Sequence, residues 1–216
     1  MMEIEKWLND VLEKKNKRAM PIITFPAATK LNISVKKLIN DTDQQVAALK
    51  IIKEECNPLA ILGFMDLSVE AECFGAEIKV TDNEVPTVVG QLIEDEDDAQ
   101  ALKVPAVGSG RSQLYIDAIK KTKAEIKDIP ILGGCIGPFS LAGRLMDVSE
   151  AMINCYEEPE MVHIVLKKAT KFLIDYISAY KEAGADGILM AEPLAGVLSP
   201  VLATEFSSTY VKKIVT

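Results

Sequence analysis

Leu62-Gly63-Phe64-Met65-Asp66-Leu67-Ser68-Val69-Glu70-Ala71-Glu72-Cys73-Phe74-Gly75-Ala76-Glu77-Ile78-Lys79-Val80 is the stretch whose reading decides the fold. The apolar run Leu59 to Met65 predicts a buried strand, Asp66 stands at its carboxyl end, and a short helix starts at Leu67 or Ser68. In parallel α/β proteins ligands sit at the carboxyl ends of strands, which makes Asp66 a candidate site residue. Asp is equally a preferred N-cap, so capping and chemistry both stay open at this position.

Three further apolar runs repeat the pattern. Met20 to Pro26 predicts a first core strand over 21–26, and the loop it opens, Pro26 to Asn32, is a candidate wall of the site. Pro130 to Ile136 predicts another strand, followed by Gly137-Pro138-Phe139-Ser140 at a helix start; Phe139, Ser140 and Arg144 fall on the first turns of that helix, at the same rim. Ile188 to Ala191 predicts the fourth, and Glu192 stands at its end as Asp66 stands at an earlier one. Strands at 21–26, 59–65, 130–136 and 187–191 alternating with helices mean a parallel sheet with right-handed crossovers. The strand-end acids and long intervals favour a (β/α) barrel, of which about the first half is present.

Helices are read from their punctuation and periodicity. Met1 to Arg18 is a charged amphipathic helix with Ile4, Trp7, Leu8, Val11 and Leu12 on its apolar face. Ser34 to Asn40 is a short helix, and Thr42-Asp43-Gln44-Gln45 has the form of a capping box for a helix to about Cys56. Glu77 to Val89 predicts a small hairpin. The acidic run Glu94 to Asp98 reads as a helix start, where acids complement the dipole. Gly108-Ser109-Gly110-Arg111 reads as the loop before a helix to about Lys127, since its glycines lack the spacing of a nucleotide loop. Glu158-Pro159 opens the longest helix, which presents Met161, Val165, Ala169, Phe172, Leu173, Tyr176 and Tyr180 on one stripe and ends at Gly184. A last helix runs from Val201 to Ile214.

The chain has 216 residues, 49% hydrophobic, with mean hydropathy +0.15, which suits one domain with a large core: a helix over 1–19 and a partial barrel over 20–216. A formal charge of -8 argues against nucleic acid or an anionic membrane as partner. Four cysteines (Cys56, Cys73, Cys135, Cys155) without a Cys-x-x-Cys pair read as buried, reduced thiols of a cytoplasmic protein. His163, the sole histidine, reads as a helix-surface residue.

Three blocks taken together, Phe64 to Ile78, Gly137 to Ala142 and Glu192 to Pro200, resemble the uroporphyrinogen decarboxylase superfamily, closest to its methylcobalamin:coenzyme M methyltransferase branch. The resemblance implies a (β/α)₈ barrel, a corrinoid as methyl donor, and a small-molecule thiol and a corrinoid protein as partners. Decarboxylases of the family carry an Arg-Gln-Ala-Gly-Arg-Tyr loop after the first strand; here Phe25-Pro26-Ala27-Ala28-Thr29-Lys30 replaces it and both arginines are absent. Arg144 stands where decarboxylases have Tyr, and Pro193 where some have Ser, whereas Asp66 suits either branch. By resemblance Asp66 and Glu192 are the catalytic residues, and Phe25, Phe139, Ser140 and Arg144 line the substrate pocket. The branch holds zinc on a His-x-Cys pair and a later Cys. No histidine follows His163 and no cysteine follows Cys155, so no metal site is expected in these residues and zinc belongs to a C-terminal half. The expectation is then a methyltransferase chain incomplete for catalysis, with a decarboxylase and a non-catalytic half-barrel as rivals. A chain ending at this point is expected to form a homodimer across its open sheet edge.

Overall fold

The computed structural model describes residues 4–215. Three parallel strands, β1 (Ile61–Leu62), β4 (Ile131–Ile136) and β5 (Gly187–Ala191), pair in the order β1-β4-β5. Ile61 lies opposite Ile131, and Ile136 opposite Ala191. Between β1 and β4 a separate antiparallel hairpin, β2 (Glu77–Lys79) and β3 (Thr87–Val89), stands off the sheet.

Twelve helices surround these strands among the described residues: α1 (Ile4–Glu13), α2 (Ala27–Leu31), α3 (Val35–Ile39), α4 (Thr42–Cys56), α5 (Val69–Cys73), α6 (Glu96–Ala101), α7 (Ser112–Glu125), α8 (Pro138–Met146), α9 (Val148–Glu157), α10 (Pro159–Glu182), α11 (Pro200–Leu202) and α12 (Thr209–Val215). Glycines let the large helices approach the strands. A Cβ at Gly63 would lie 2.7 Å from the Ile119 side chain of α7, and one at Gly133 would lie 2.9 Å from the Tyr180 ring of α10. Both therefore mark the face of the sheet that α7 and α10 cover, and Tyr176 and Tyr180 are sealed there with their hydroxyls 2.8 Å apart.

The opposite face carries Leu132, Gly134, Leu189 and Ala191, with Met65 against Gly134. Helices on one face and a strand order that runs on without reversal are the pattern of a barrel wall, not of a doubly wound sheet. All five residues of β5 are only half-buried, because no strand pairs with its outer edge among the described residues.

Several expectations need correction. Met20 to Thr24 forms no strand; one backbone hydrogen bond, Leu59 N to Ala19 O (2.7 Å), ties its start to the chain before β1. Pro21 has no N–H to donate, and Ile22 and Ile23 are exposed. Helix α4 is capped by Asp41, not Thr42, its carboxylate accepting from Asp43 N and Gln44 N. Cys56 is exposed, while Cys73, Cys135 and Cys155 are buried. No residue of α1 is buried, and the expected helical start at Met1 to Glu3 lies outside the described residues. The single helix expected over 201–214 contains a π-turn, Ala203–Ser208, between α11 and α12.

Other elements match their punctuation. Ser34 caps α3 through Lys37 N, Asp95 in the acidic run caps α6 through Asp98 N, and the whole apolar stripe of α10 is buried.

Candidate active site at the carboxyl ends of the strands

Asp66 leaves β1 and turns into the protein. Its side chain is fully buried and four donors meet it: Ser68 N (3.1 Å) and Ser68 Oγ (2.6 Å) on Oδ1, Arg111 Nη1 (2.5 Å) and Tyr115 Oη (3.0 Å) on Oδ2. Arg111 reaches further, with Nε on Glu72 Oε2 at 2.7 Å and Nη2 on Ser68 Oγ at 3.0 Å. The Asp66 carboxylate is thus the centre of a closed ionic knot that fastens α5 to the start of α7. The sequence reading missed Arg111. Its signal was Tyr115 four residues on, which places the guanidinium and the phenol on one helix face.

Glu70, one turn along α5, is the second buried acid. Its Oε1 accepts from Ile136 N at 2.9 Å, and its Oε2 is buried without a hydrogen-bond partner. The contact completes a ladder. Gly63 N donates to Leu132 O, so even-numbered residues of β4 face β1, but β1 has ended before it reaches Ile136. The Glu70 carboxyl fills that vacant rung. Burial pushes its pKa from 4.5 up to about 7, against the lowering effect of the Ile136 hydrogen bond.

Glu192 follows β5 and behaves differently from Asp66. Its Oε1 accepts from Phe139 N (2.7 Å) and Ser207 Oγ (3.1 Å), and its Oε2 accepts from Ser140 N (2.9 Å). The carboxylate thus sits on the free N–H groups that open α8, where the helix dipole favours an acid. Gly137 permits the approach, since a Cβ there would lie 2.3 Å from Glu192 Oε2. Glu192 also lines a cavity of about 600 Å³ with Ile22, Met65, Leu67, Leu189, Ala191 and Pro193. Another cavity of about 400 Å³ lies between α1, α10 and the amino end of β5, far from the strand ends where chemistry is expected.

The structure separates the remaining candidates. Phe139 is fully buried in the core, and Phe25 packs edge-on against Phe64 with centroids 5.7 Å apart. Ser140 is buried and its hydroxyl accepts from Leu194 N (3.1 Å), tying α8 to the turn after Glu192. Arg144 is half-buried and makes no hydrogen bond or ion pair among the described residues. Of the six, the rim of the cavity holds Glu192, with Ser140 and Phe139 behind it through their amides, while Asp66 is occupied by Arg111.

A zinc-thiolate centre does not fit these side chains. No group of three or more His, Cys, Asp and Glu forms a cluster able to hold a metal among the described residues. Burial raises the Cys73 and Cys155 thiols to about 11. His163 is engaged, with Nδ1 2.8 Å from the Tyr210 hydroxyl and Nε2 3.4 Å from Glu205. No helix among the described residues is long and apolar enough to cross a membrane.

The chain as a whole is similar to known proteins. Residues 17–216 match the family model described as uroporphyrinogen decarboxylase (URO-D). Methylcobamide:CoM methyltransferase MtbA of Methanosarcina acetivorans is 33% identical over 155 residues, 69% of this chain and 45% of that protein. Uroporphyrinogen decarboxylase of Coxiella burnetii is 29% identical over 164 residues, 72% of this chain and 44% of its own length. A solved methyltransferase from Methanosarcina mazei superposes with a TM-score of 0.87 at 23% identity, covering 99% of this chain and 66% of that one, a likeness of fold. The chain therefore spans about half the length of the curated relatives it matches.

Proposed function

The chain belongs to the uroporphyrinogen decarboxylase family, and on that premise we propose that it forms the amino-terminal part of a corrinoid-dependent methyltransferase. The observation that carries the reading is the composition of the cavity at the strand ends, which is lined by six apolar residues and one carboxylate, Glu192. A tetrapyrrole bearing many carboxylates needs cations on its wall, and among the described residues no Lys or Arg lines this cavity. An apolar surface that carries a single carboxylate acceptor suits a methylated corrinoid and a thiol. The relatives named as methylcobamide:CoM methyltransferases support the same choice.

A methylated corrinoid bound against Met65, Leu67, Leu189 and Ala191 would supply the methyl group, and a thiol that has given up its proton would accept it, the bonding electron pair staying with the corrinoid. Glu192 is the residue of this chain at the reacting rim. Its Oε1 is saturated by Phe139 N and Ser207 Oγ, whereas Oε2 accepts one protein hydrogen bond and keeps capacity for a donor on the ligand. It orients the thiol or takes its proton. The buried Asp66–Arg111 knot holds the loop that shapes the opposite wall at Met65 and Leu67.

The Coxiella relative favours decarboxylation as the second reading. The polypeptide carrying this chain, at the length its source produces, is incubated in parallel with methylcobalamin plus 2-mercaptoethanesulfonate and with uroporphyrinogen. Demethylation of the corrinoid with formation of a thioether is the expected result. Release of carbon dioxide from uroporphyrinogen without methyl transfer would establish the second reading instead.

A further inference from the structure

The final helical stretch is interrupted where an uninterrupted helix would cost less. Residues Ala203–Ser208 form a π-turn between α11 and α12, and such widened turns are rare and concentrate at functional sites. Hydroxyls hold it open. Thr209 Oγ1 donates to Thr204 O five residues earlier at 2.8 Å, and Thr204 Oγ1 donates to Pro200 O at 2.8 Å. The turn is also anchored to α10, because Phe206 is buried and stacks on His163 with ring centroids 4.7 Å apart. With Phe206 pinned to α10, the next residue, Ser207, is delivered to the end of β5. Its hydroxyl is buried and donates to Glu192 Oε1 at 3.1 Å.

We propose that Ser207 is a positioning residue for the rim carboxylate, and that the π-turn exists to seat it there. Three donors from two elements then fix the Glu192 carboxylate: the amides of Phe139 and Ser140 at the start of α8, and the Ser207 hydroxyl from the π-turn. Two of the three fall on Oε1. The distribution fixes which oxygen is left to a ligand: Oε1 is taken up within the protein and Oε2 is the acceptor that remains. Without Ser207, Oε1 would have room for a ligand donor as well, and the carboxylate could rotate about its terminal bond, whose torsional preferences are broad. Ser207 thus acts through Glu192 and touches no reacting atom, and the inference rests on Glu192 being the acceptor at the rim.

The test uses Ser207→Ala in the polypeptide carrying this chain, with Glu192→Gln beside it. Two readouts are taken: the backbone amide resonances of Phe139 and Ser140, and kcat and KM for methyl transfer from methylcobalamin to a thiol. In Ser207→Ala both amide signals should shift, and kcat should fall about tenfold at unchanged KM, the size expected when one hydrogen bond no longer holds a reacting group. Amide signals that stay at their wild-type positions overturn the proposal whatever the activity. Shifted amides with unchanged kcat, in an enzyme that Glu192→Gln disables, overturn it too, because the contact would then be structural only. If Glu192→Gln keeps full turnover, the functional reading of Glu192 fails separately, and the amide signals still decide whether Ser207 sets its orientation.

Discussion

Glu70 makes the stability of this protein depend on pH in a direction opposite to that of an ordinary carboxylate. In the unfolded chain its carboxyl titrates at its usual value of 4.5, whereas in the folded protein burial holds the proton until about pH 7. Between those values the native state binds more protons than the unfolded one, so stability falls as pH rises through the window and levels off above it. The gap, at about 1.4 kcal/mol for each factor of ten, is worth about 3 kcal/mol. For a domain of this size that corresponds to a melting temperature lower by about 6–12 °C at pH 8 than at pH 5 from this group alone. Glu70→Gln keeps an oxygen for Ile136 N and removes the titration. Urea unfolding of both proteins at pH 5, 6, 7 and 8 isolates the effect, because other groups titrate alike in the two. The stability of wild type relative to Glu70→Gln should decline by about 3 kcal/mol across that range. A difference that is the same at pH 5 and pH 8 would refute the reasoning, since Glu70 would then titrate identically in the folded and unfolded states.

Three other perturbations follow from the geometry. Arg111→Met should destabilise the fold by about 3–5 kcal/mol in urea unfolding, by leaving Asp66 buried without its cation, and pairing it with Asp66→Asn should recover part of the loss. Gly137→Ala places a methyl group 2.3 Å from Glu192 Oε2, so the carboxylate must leave the α8 amides; activity should drop steeply, and a crystal structure with Glu192 undisturbed would contradict this. In the native protein a thiol reagent at neutral pH should modify Cys56 rapidly, with Cys73, Cys135 and Cys155 reacting only in denaturant; rapid native labelling of any of those three would show that its burial is not maintained.

What the sequence revealed and what it hid divide along range of interaction. Strands β4 and β5 and helix α10 were legible because their apolar runs and stripes are local signals that burial enforces along their whole length. Met20 to Pro26 carries the same apolar signal yet forms no strand, since a run of apolar residues shows the wish for burial and not the presence of a partner ladder. Asp66 and Glu192 looked equivalent at two strand ends. They are not, because Arg111, 45 positions along the chain from Asp66, claims the first, and no local pattern predicts that pairing. The helix start makes Phe139 and Ser140 candidate pocket walls, and the structure shows their amides, common to any residue type, holding Glu192. The π-turn was invisible for the opposite reason: hydroxyl-rich Thr204 to Thr209 supports a regular helix as readily as a widened one in sequence terms, and it is the packing of Phe206 on His163 together with the Thr209 Oγ1 bond to Thr204 O that holds the widened form.

The most direct measurement is the rate of methyl transfer from methylcobalamin to 2-mercaptoethanesulfonate by the polypeptide carrying this chain, wild type against Glu192→Gln, both verified as folded. The account predicts turnover by the wild type and a fall of about 10²-fold or more in the variant, the usual scale for losing a positioned proton acceptor. Equal rates in the two proteins, or no methyl transfer alongside decarboxylation of uroporphyrinogen, would contradict it.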